Sequence, residues 1–290
     1  MSEKSYSEYL NSEISLIQDQ YKEFVAKTNE KSSLSKIIFD ENSKLEKTTR
    51  QRGDVGLDWV YTIQHQIALR WYTEFITDNP NLLNLDDDIF TCLDIGSKVE
   101  FVAMMASFTN YIQLDPNLNI PPSESLKIID ANLAFNSGEA QNIPFDDKSF
   151  NWITSLHAIE HFGLGRYGDS IDPLGDIRGL KEISRVCNLD GWFLGSVPIT
   201  TDEKERVVFN RNRIYSVKKI KSMLEDSGFS ICHEHCVVAP LKDYGSNKTL
   251  GSIFSIKDYE DLMYRLPHPY EPDAVYIWLA TKKLRRPTRT

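Results

Sequence analysis

From Ile89 onward the chain alternates short apolar runs with amphipathic helical segments, and this alternation restricts the possible folds more than any other feature. IFTCLDIG is an apolar run closing on Asp94-Ile-Gly96, the pattern of a strand buried on both faces. VEFVAMMASF reads as a helix and YIQLDP as a second strand, with LKIID, LAFNSGEA and SFNWITSLH as further strands. DIRGLKEISRVC reads as a helix stopped at Asn188-Leu-Asp-Gly191, and WFLGSVP as the next strand. SVKKIKSMLEDSG carries a Ser216 N-cap and a Gly228 stop. FSICHEHCVV and VYIWLATKK are the closing strands. Strands alternating with helices predict an α/β fold built on a doubly wound, mostly parallel sheet.

Residues 1–88 predict an N-terminal helical extension that covers part of that domain. Tyr9, Leu10, Ile14, Ile17, Tyr21, Phe24 and Val25 fall near helical spacing, and a second helix runs from about Leu57 to Thr77 before Asn79-Pro80 ends it. The α/β domain spans 89–283, an insertion at about 239–270 breaks its rhythm, and 284–290 form a basic, solvated tail. A chain of 290 residues can bury a sizeable core in such a domain. Its net charge of −9 argues against a nucleic-acid partner, because phosphate contacts need clustered Lys and Arg. No apolar run approaches the roughly 20 residues of a transmembrane segment. The polar, acidic start MSEKSYSEYLNSEISLIQ lacks the form of a signal peptide. Cys92, Cys187, Cys232 and Cys236 suggest a reducing compartment, so the expectation is a soluble cytoplasmic protein.

Two patterns invite a metal. His157, Glu160 and His161 spell H-x-x-E-H, but a zinc protease needs both histidines on one helix face. Here the motif begins at a strand end and runs into Gly163-Leu-Gly165, which disfavours a long helix. In Cys232-His233-Glu234-His235-Cys236, strand alternation sets the histidines on one face and the cysteines on the other. No metal is expected at either place.

In an open parallel sheet, ligands bind at the carboxyl ends of the strands. Those ends read Asp94-Ile-Gly96-Ser97, Asp115-Pro116, Gly138-Glu139-Ala140 and Ser155-Leu156-His157. An acid after the second strand suits a ribose diol, and a small residue after the first lets backbone approach a ligand. Together they predict a nucleoside-type cofactor lying across the strand ends.

SGEAQNIPFDDKSFNWITSLHAIEHF resembles the central block of class I S-adenosylmethionine-dependent methyltransferases, and the resemblance extends over about 89–283. LHAIEHFGLGRYGDSIDPLGD is similar to a narrower bacterial family of methyltransferase-like proteins with the signature EHxGLGRYGDxIDPxGD, often associated with surface-polysaccharide biosynthesis. The resemblance implies S-adenosylmethionine as cofactor and methyl transfer to a small-molecule or glycan acceptor. It implies cofactor-binding roles for Asp94, Gly96, Ser97, Asp115, Glu139, Ala140 and Ser155, with Ser155 to His157 facing the transferred methyl. The first motif departs from D/E-x-G-x-G-x-G, since Lys98 and Glu100 replace its second and third glycines. Retained cofactor binding is the expectation. The departure keeps open a non-catalytic binding or scaffold module, and an enzyme using a nucleotide-sugar on the same fold.

On this reading His157, Glu160 and His161 are the catalytic candidates, with His161 or His157 removing a proton from a hydroxyl acceptor and His161 alternatively capping a short helix. Arg166, Tyr167, Asp169 and Asp172, in a loop rich in glycine and charge, are substrate candidates. The competing reading is a self-bonded loop in which Arg166 pairs with Asp169 or Asp172. Arg213 and Tyr215, in FNRNRIYS, are further substrate candidates.

Overall fold

The computed structural model describes residues 16, 18–28, 38–39, 59–78, 91–118, 125–127, 132–200, 205–209, 212–238, 252–255, 257–258 and 274–282. Tyr9, Leu10, Ile14, Ile17, the Asn79-Pro80 stop, most of the 239–270 insertion and the 284–290 tail lie outside them. A helix at 18–28 (α1), the strand Ile38–Phe39 (β1) and the helix Trp59–Asp78 (α2) precede the alternating region. Then come β2 (Thr91–Ile95), α3 (Val99–Met105), β3 (Asn110–Asp115), β4 (Ser125–Lys127), β5 (Leu133–Ser137) and β6 (Phe150–Leu156). After a 3₁₀ turn at Ile159–His161 follow α4 (Gly175–Val186), β7 (Cys187–Ile199), β8 (Arg206–Val208) and β9 (Asn212–Ile214). The last elements are α5 (Val217–Asp226), β10 (Phe229–Val238), β11 (Ser252–Phe254) and β12 (Ala274–Lys282).

The main sheet runs β11-β10-β12-β7-β6-β2-β3-β5-β4. Its centre, β5-β3-β2-β6-β7, is parallel, whereas β12 is antiparallel to both neighbours. The chain winds outward from β2 through β3 to β5, then returns to the other side of β2 as β6. The order reverses between β2 and β6, and this switch point opens a crevice at the strand ends. This is a doubly wound, mostly parallel sheet, with helices ahead of it as the sequence predicts. β1 lies parallel to β8 in a separate small sheet, order β1-β8-β9.

Both faces of the sheet are covered, and strand alternation sorts the core into two layers. Leu93, Ile95, Ile153, Phe193, Tyr276 and Trp278 face α4 and α5, packing with Leu180, Ile183, Ile220 and Leu224. Cys92, Trp152, Leu194, Val275 and Ile277 face the other way, against Trp71 and Tyr72 of α2 and Phe101, Val102 and Met105 of α3. The periodicity predicted for α2 is therefore a packing face on the sheet. No helix among the described residues is long and apolar enough to cross a membrane.

One predicted boundary differs. Asn188-Leu-Asp-Gly191 reads as a stop between helix and strand, yet β7 begins at Cys187, directly after α4. Cys187 pairs with Phe150 and Trp192 with Trp152, so residues 188–191 bulge out of the ladder, with Asp190 at φ 63°. The turn chemistry is real but is spent within the strand. The Ser216 cap forms as expected, its hydroxyl accepting from Lys219 N at 3.1 Å.

Gly195 of β7 lies opposite Trp278 of β12, and a Cβ there would stand 2.2 Å from the indole Cζ2. Gly195→Ala is expected to lower stability by roughly 1–3 kcal/mol, the usual range for overpacking a filled core. Urea unfolding midpoints of the two proteins measure it.

Candidate functional site

The crevice at the switch point is a cleft of about 680 Å³, within the usual range of small-ligand sites. The loop after β2 supplies Gly96, Ser97 and Lys98, and the end of β3 supplies Gln113, Asp115 and Asn117. Gly138, Glu139, Ala140 and Gln141 follow β5, and His157 and His161 follow β6. Tyr61 of α2 lines the cleft as well, as do Tyr167 and Asp169 of the glycine-rich loop.

Hydrogen bonds fix the floor. Ser97 N donates to Asp94 Oδ1 at 2.9 Å, and Leu156 N donates to Ser97 Oγ at 2.9 Å. Gln113 Nε2 donates to Ser97 O at 2.8 Å and sits 3.4 Å from Asp94 Oδ1. Gly96 adopts φ +74°, and a Cβ there would meet Ala158 Cβ at 2.9 Å. The first glycine is thus required both by backbone conformation and by close packing. Lys98 needs no such freedom: its backbone is extended at φ −62°, ψ 132°, and its ammonium lies 3.3 Å from the Tyr61 ring centroid. Glu100 is exposed in the first turn of α3.

His157 occupies the left-handed region at φ 54°, unusual for a residue other than glycine. Its Nδ1 lies 2.9 Å from Glu160 Oε1, its Nε2 is buried without a hydrogen-bond partner, and its ring is 5.4 Å from Tyr61. Glu160 is 1% exposed. Burial raises its pKa, but the charge of His157, the hydrogen bond from it and the charge of His161 outweigh burial and hold the carboxyl below its usual value. An ionised Glu160 accepts a hydrogen bond from Nδ1–H and leaves the Nε2 lone pair available, which is the tautomer of a general base. His161 Nε2 lies farther from the same oxygen, at 3.8 Å. Asp94 shows the opposite balance: burial pushes its carboxyl up to about 7 despite the hydrogen bonds from Ser97 and Gln113.

Several sequence-predicted site residues lie together in the cleft: Gly96, Ser97, Asp115, Glu139, Ala140, His157, His161, Tyr167 and Asp169. Asp94 and Glu160 are buried beneath it, bonded to residues that line it. Others are placed elsewhere. Ser155 is fully buried and donates to Ile95 O at 3.0 Å, joining β6 to β2 rather than facing the cleft. Arg213 and Tyr215 are buried in a polar cluster behind it. Arg213 Nη1 donates to Phe162 O at 2.6 Å, its Nη2 donates to Pro173 O at 3.3 Å, and Tyr215 Oη donates to Asp176 Oδ2 at 2.9 Å. Asp172 belongs to the same buried region, paired with Arg178 at 2.9 Å. These residues brace the glycine-rich loop. Arg166 stacks over Tyr167, 5.5 Å from its ring centroid.

Tyr61, Gln113 and Gln141 are cleft residues that the sequence reading passed over. Gln113 carried a signal, a polar residue within an apolar strand. Tyr61 carried none, because only the packing of α2 brings it to the strand ends.

Residues 134–237 match the family described as "Caenorhabditis protein of unknown function, DUF268". That stretch runs from β5 to the end of β10. The chain is also similar to the Bacillus subtilis (strain 168) protein named "Putative methyltransferase YrhH", 39% identical over 70 residues, which are 24% of this chain and 32% of that protein. The chain thus matches about a third of the length of that curated relative. Among solved structures, a Bacillus halodurans C-125 protein named "putative methyltransferase" is 15% identical, covering 72% of this chain and 99% of its own, with a TM-score of 0.45. An S-adenosylmethionine-dependent methyltransferase from Methanosarcina mazei is 14% identical, covering 71% and 98%, with a TM-score of 0.42.

The raised Asp94 value has a measurable consequence. Its folded value of about 7 lies above the roughly 3.9 of an unfolded chain, so between these pH values the native state keeps a proton that the unfolded state has released. Its contribution is therefore fully present below about pH 4 and lost as pH rises through about 7, by up to roughly 4 kcal/mol. Asp94→Asn retains the Oδ1 acceptor and places its amide where Oδ2 has no partner. Urea unfolding at pH 5 and pH 8 should show the variant losing less stability over that interval than the parent. Parallel losses would mean that Asp94 is ionised throughout.

Proposed function

We propose that this chain is an S-adenosylmethionine-dependent methyltransferase acting on a hydroxyl of a small-molecule or glycan acceptor. The observation that carries the reading is one cleft that joins a ribose-type acid, Asp115, to an oriented imidazole, His157. The residues present fit the cofactor. Gly96 and Gly138 line the cleft without side chains of their own, and buried Gln141 Nε2, also in its lining, has no hydrogen-bond partner. Asp115, whose Oδ1 accepts from Asn117 N at 2.8 Å, would hold the ribose hydroxyls, and Glu139 with Ala140 would lie by the adenine. Lys98 and Glu100 both line the cleft, Lys98 with its ammonium over the Tyr61 ring and Glu100 in the first turn of α3, and this assignment takes them as walls beside the cofactor.

When bound, S-adenosylmethionine supplies an electrophilic methyl group on a sulfonium. The chain supplies alignment, exclusion of water and a proton acceptor. His157 Nε2 would take the proton of the acceptor hydroxyl, leaving its oxygen the nucleophile. The Nδ1 proton remains on His157, held by Glu160, whose negative charge stabilises the imidazolium. Glu160 is a positioning residue in this scheme, and Tyr61 shields the imidazole. The loop signature supports a place in surface-polysaccharide biosynthesis.

Calorimetric titration with S-adenosylhomocysteine should give micromolar binding that Asp115→Ala abolishes. Absence of heat and of any thermal shift would overturn the cofactor reading and favour a binding module. A response to nucleotide-sugars alone would favour that cofactor class on the same fold. His157→Asn, chosen because asparagine tolerates a positive φ, should slow methyl transfer about 10²- to 10⁴-fold with S-adenosylhomocysteine affinity nearly unchanged. Equal rates in the two proteins would remove His157 from the mechanism.

A further inference from the structure

We infer that the glycine-rich segment 163–172 covers the nucleoside end of the cleft, with Tyr167 and Ser170 as cofactor-binding residues rather than parts of an acceptor site. The inference rests on the cofactor reading above. Ser170 donates twice to Glu139 Oε1, from its backbone N at 3.2 Å and from its hydroxyl at 3.0 Å. A Cβ on Gly168 would lie 3.5 Å from Asn117 Oδ1, and Asn117 is itself bonded to Asp115. The segment therefore holds Glu139, assigned to the adenine, and passes beside Asn117, the neighbour of the ribose-assigned Asp115. Next to Gly168, Tyr167 lines the cleft, its ring edge-on to His161 at 5.5 Å.

The segment is shaped to hold that position. Gly163, Gly165 and Gly168 all have positive φ, and Asp169 gathers the chain by accepting from Gly163 N at 2.8 Å and Tyr167 N at 3.2 Å. On its outer side, Lys27 of α1 donates to Ile171 O at 2.9 Å, and Phe24 packs in one cluster with Leu164 and Ile171. α1 thus braces the outer side while Tyr167 lines the cleft and Ser170 binds Glu139, which lines it. A flat aromatic ring that lines the same cleft as the Glu139 carboxylate is suited to a purine nucleoside, by ring contact and by hydrogen bonding at its edge. The acceptor is left the Tyr61–His157 side of the cleft.

The test compares S-adenosylhomocysteine binding by the full chain, Tyr167→Ala, Tyr167→Phe and Ser170→Ala, using calorimetry and stopped-flow dissociation. Tyr167→Ala should weaken binding roughly tenfold and Tyr167→Phe should retain it, because the ring makes the contact. Ser170→Ala should release the ligand several-fold faster, while unliganded melting temperatures stay close to the parent's. In the parent protein, hydrogen exchange over 165–170 should slow when S-adenosylhomocysteine is added. Parent-like affinity and release in every variant, with unchanged exchange in a parent that binds, would overturn the inference and leave the cofactor reading intact. Failure of the parent to bind would overturn both.

Discussion

The crevice exists because the sheet reverses its winding at β2, and a few hydrogen bonds hold the two strands that part there. Ser97 is the centre of that arrangement. Its backbone N–H is held by Asp94, its carbonyl accepts from Gln113, and its hydroxyl accepts the N–H of Leu156 from β6. One floor below, Ser155 ties β6 to Ile95 of β2. These bonds fix the spacing between Gly96 and His157, and so the width of the cleft where the proposed chemistry occurs. With the pairing spent among strand ends, this region has the preorganisation that alignment catalysis needs.

Two carboxylates buried under the cleft respond to burial in opposite directions. Asp94 receives neutral donors from Ser97 and Gln113, and desolvation dominates. Glu160 is equally enclosed, but its neighbours His157 and His161 carry or can carry positive charge, and their attraction dominates. Enclosure alone therefore does not decide protonation; the sign of the nearest partner does. The difference separates their proposed parts, a hydrogen-bonded floor at Asp94 and a charged support for the imidazole at Glu160.

The glycine-rich loop and the N-terminal helices work as one structure. α1 packs against the loop from outside, the Arg213–Tyr215–Asp176 cluster braces it from behind, and Ser170 ties it to Glu139. α2 meanwhile contributes Tyr61 to the cleft and Gln64, whose Oε1 accepts from Ser196 Oγ at 2.8 Å beside the end of β6. Segments far apart in the chain thereby enclose a single volume. A charged residue in that setting has two possible uses, contact with a ligand or support for a loop, and Arg213 is committed to the second.

The strands β2 to β7, β10 and β12, the helices flanking them and the strand-end residues Gly96, Asp115, Glu139 and His157 were legible in the chain itself, because periodicity and β-end composition are local, whereas the short strands β1, β8, β9 and β11 were not. The same locality misread Asn188-Leu-Asp-Gly191 as a break, since a bulge and a turn use the same residues and differ only in what pairs on either side. It also could not separate Arg213, Tyr215 and Asp172 from true cleft residues, because burial is a property of the assembled fold. Nor could it find Tyr61, which reaches the site only when α2 docks on the sheet. The sequence by itself determined a doubly wound α/β sheet with polar residues at its carboxyl ends. Tertiary packing decided which of those residues face the cleft, which support it, and which imidazole nitrogen is left to accept a proton, because each depends on partners brought together from distant parts of the chain.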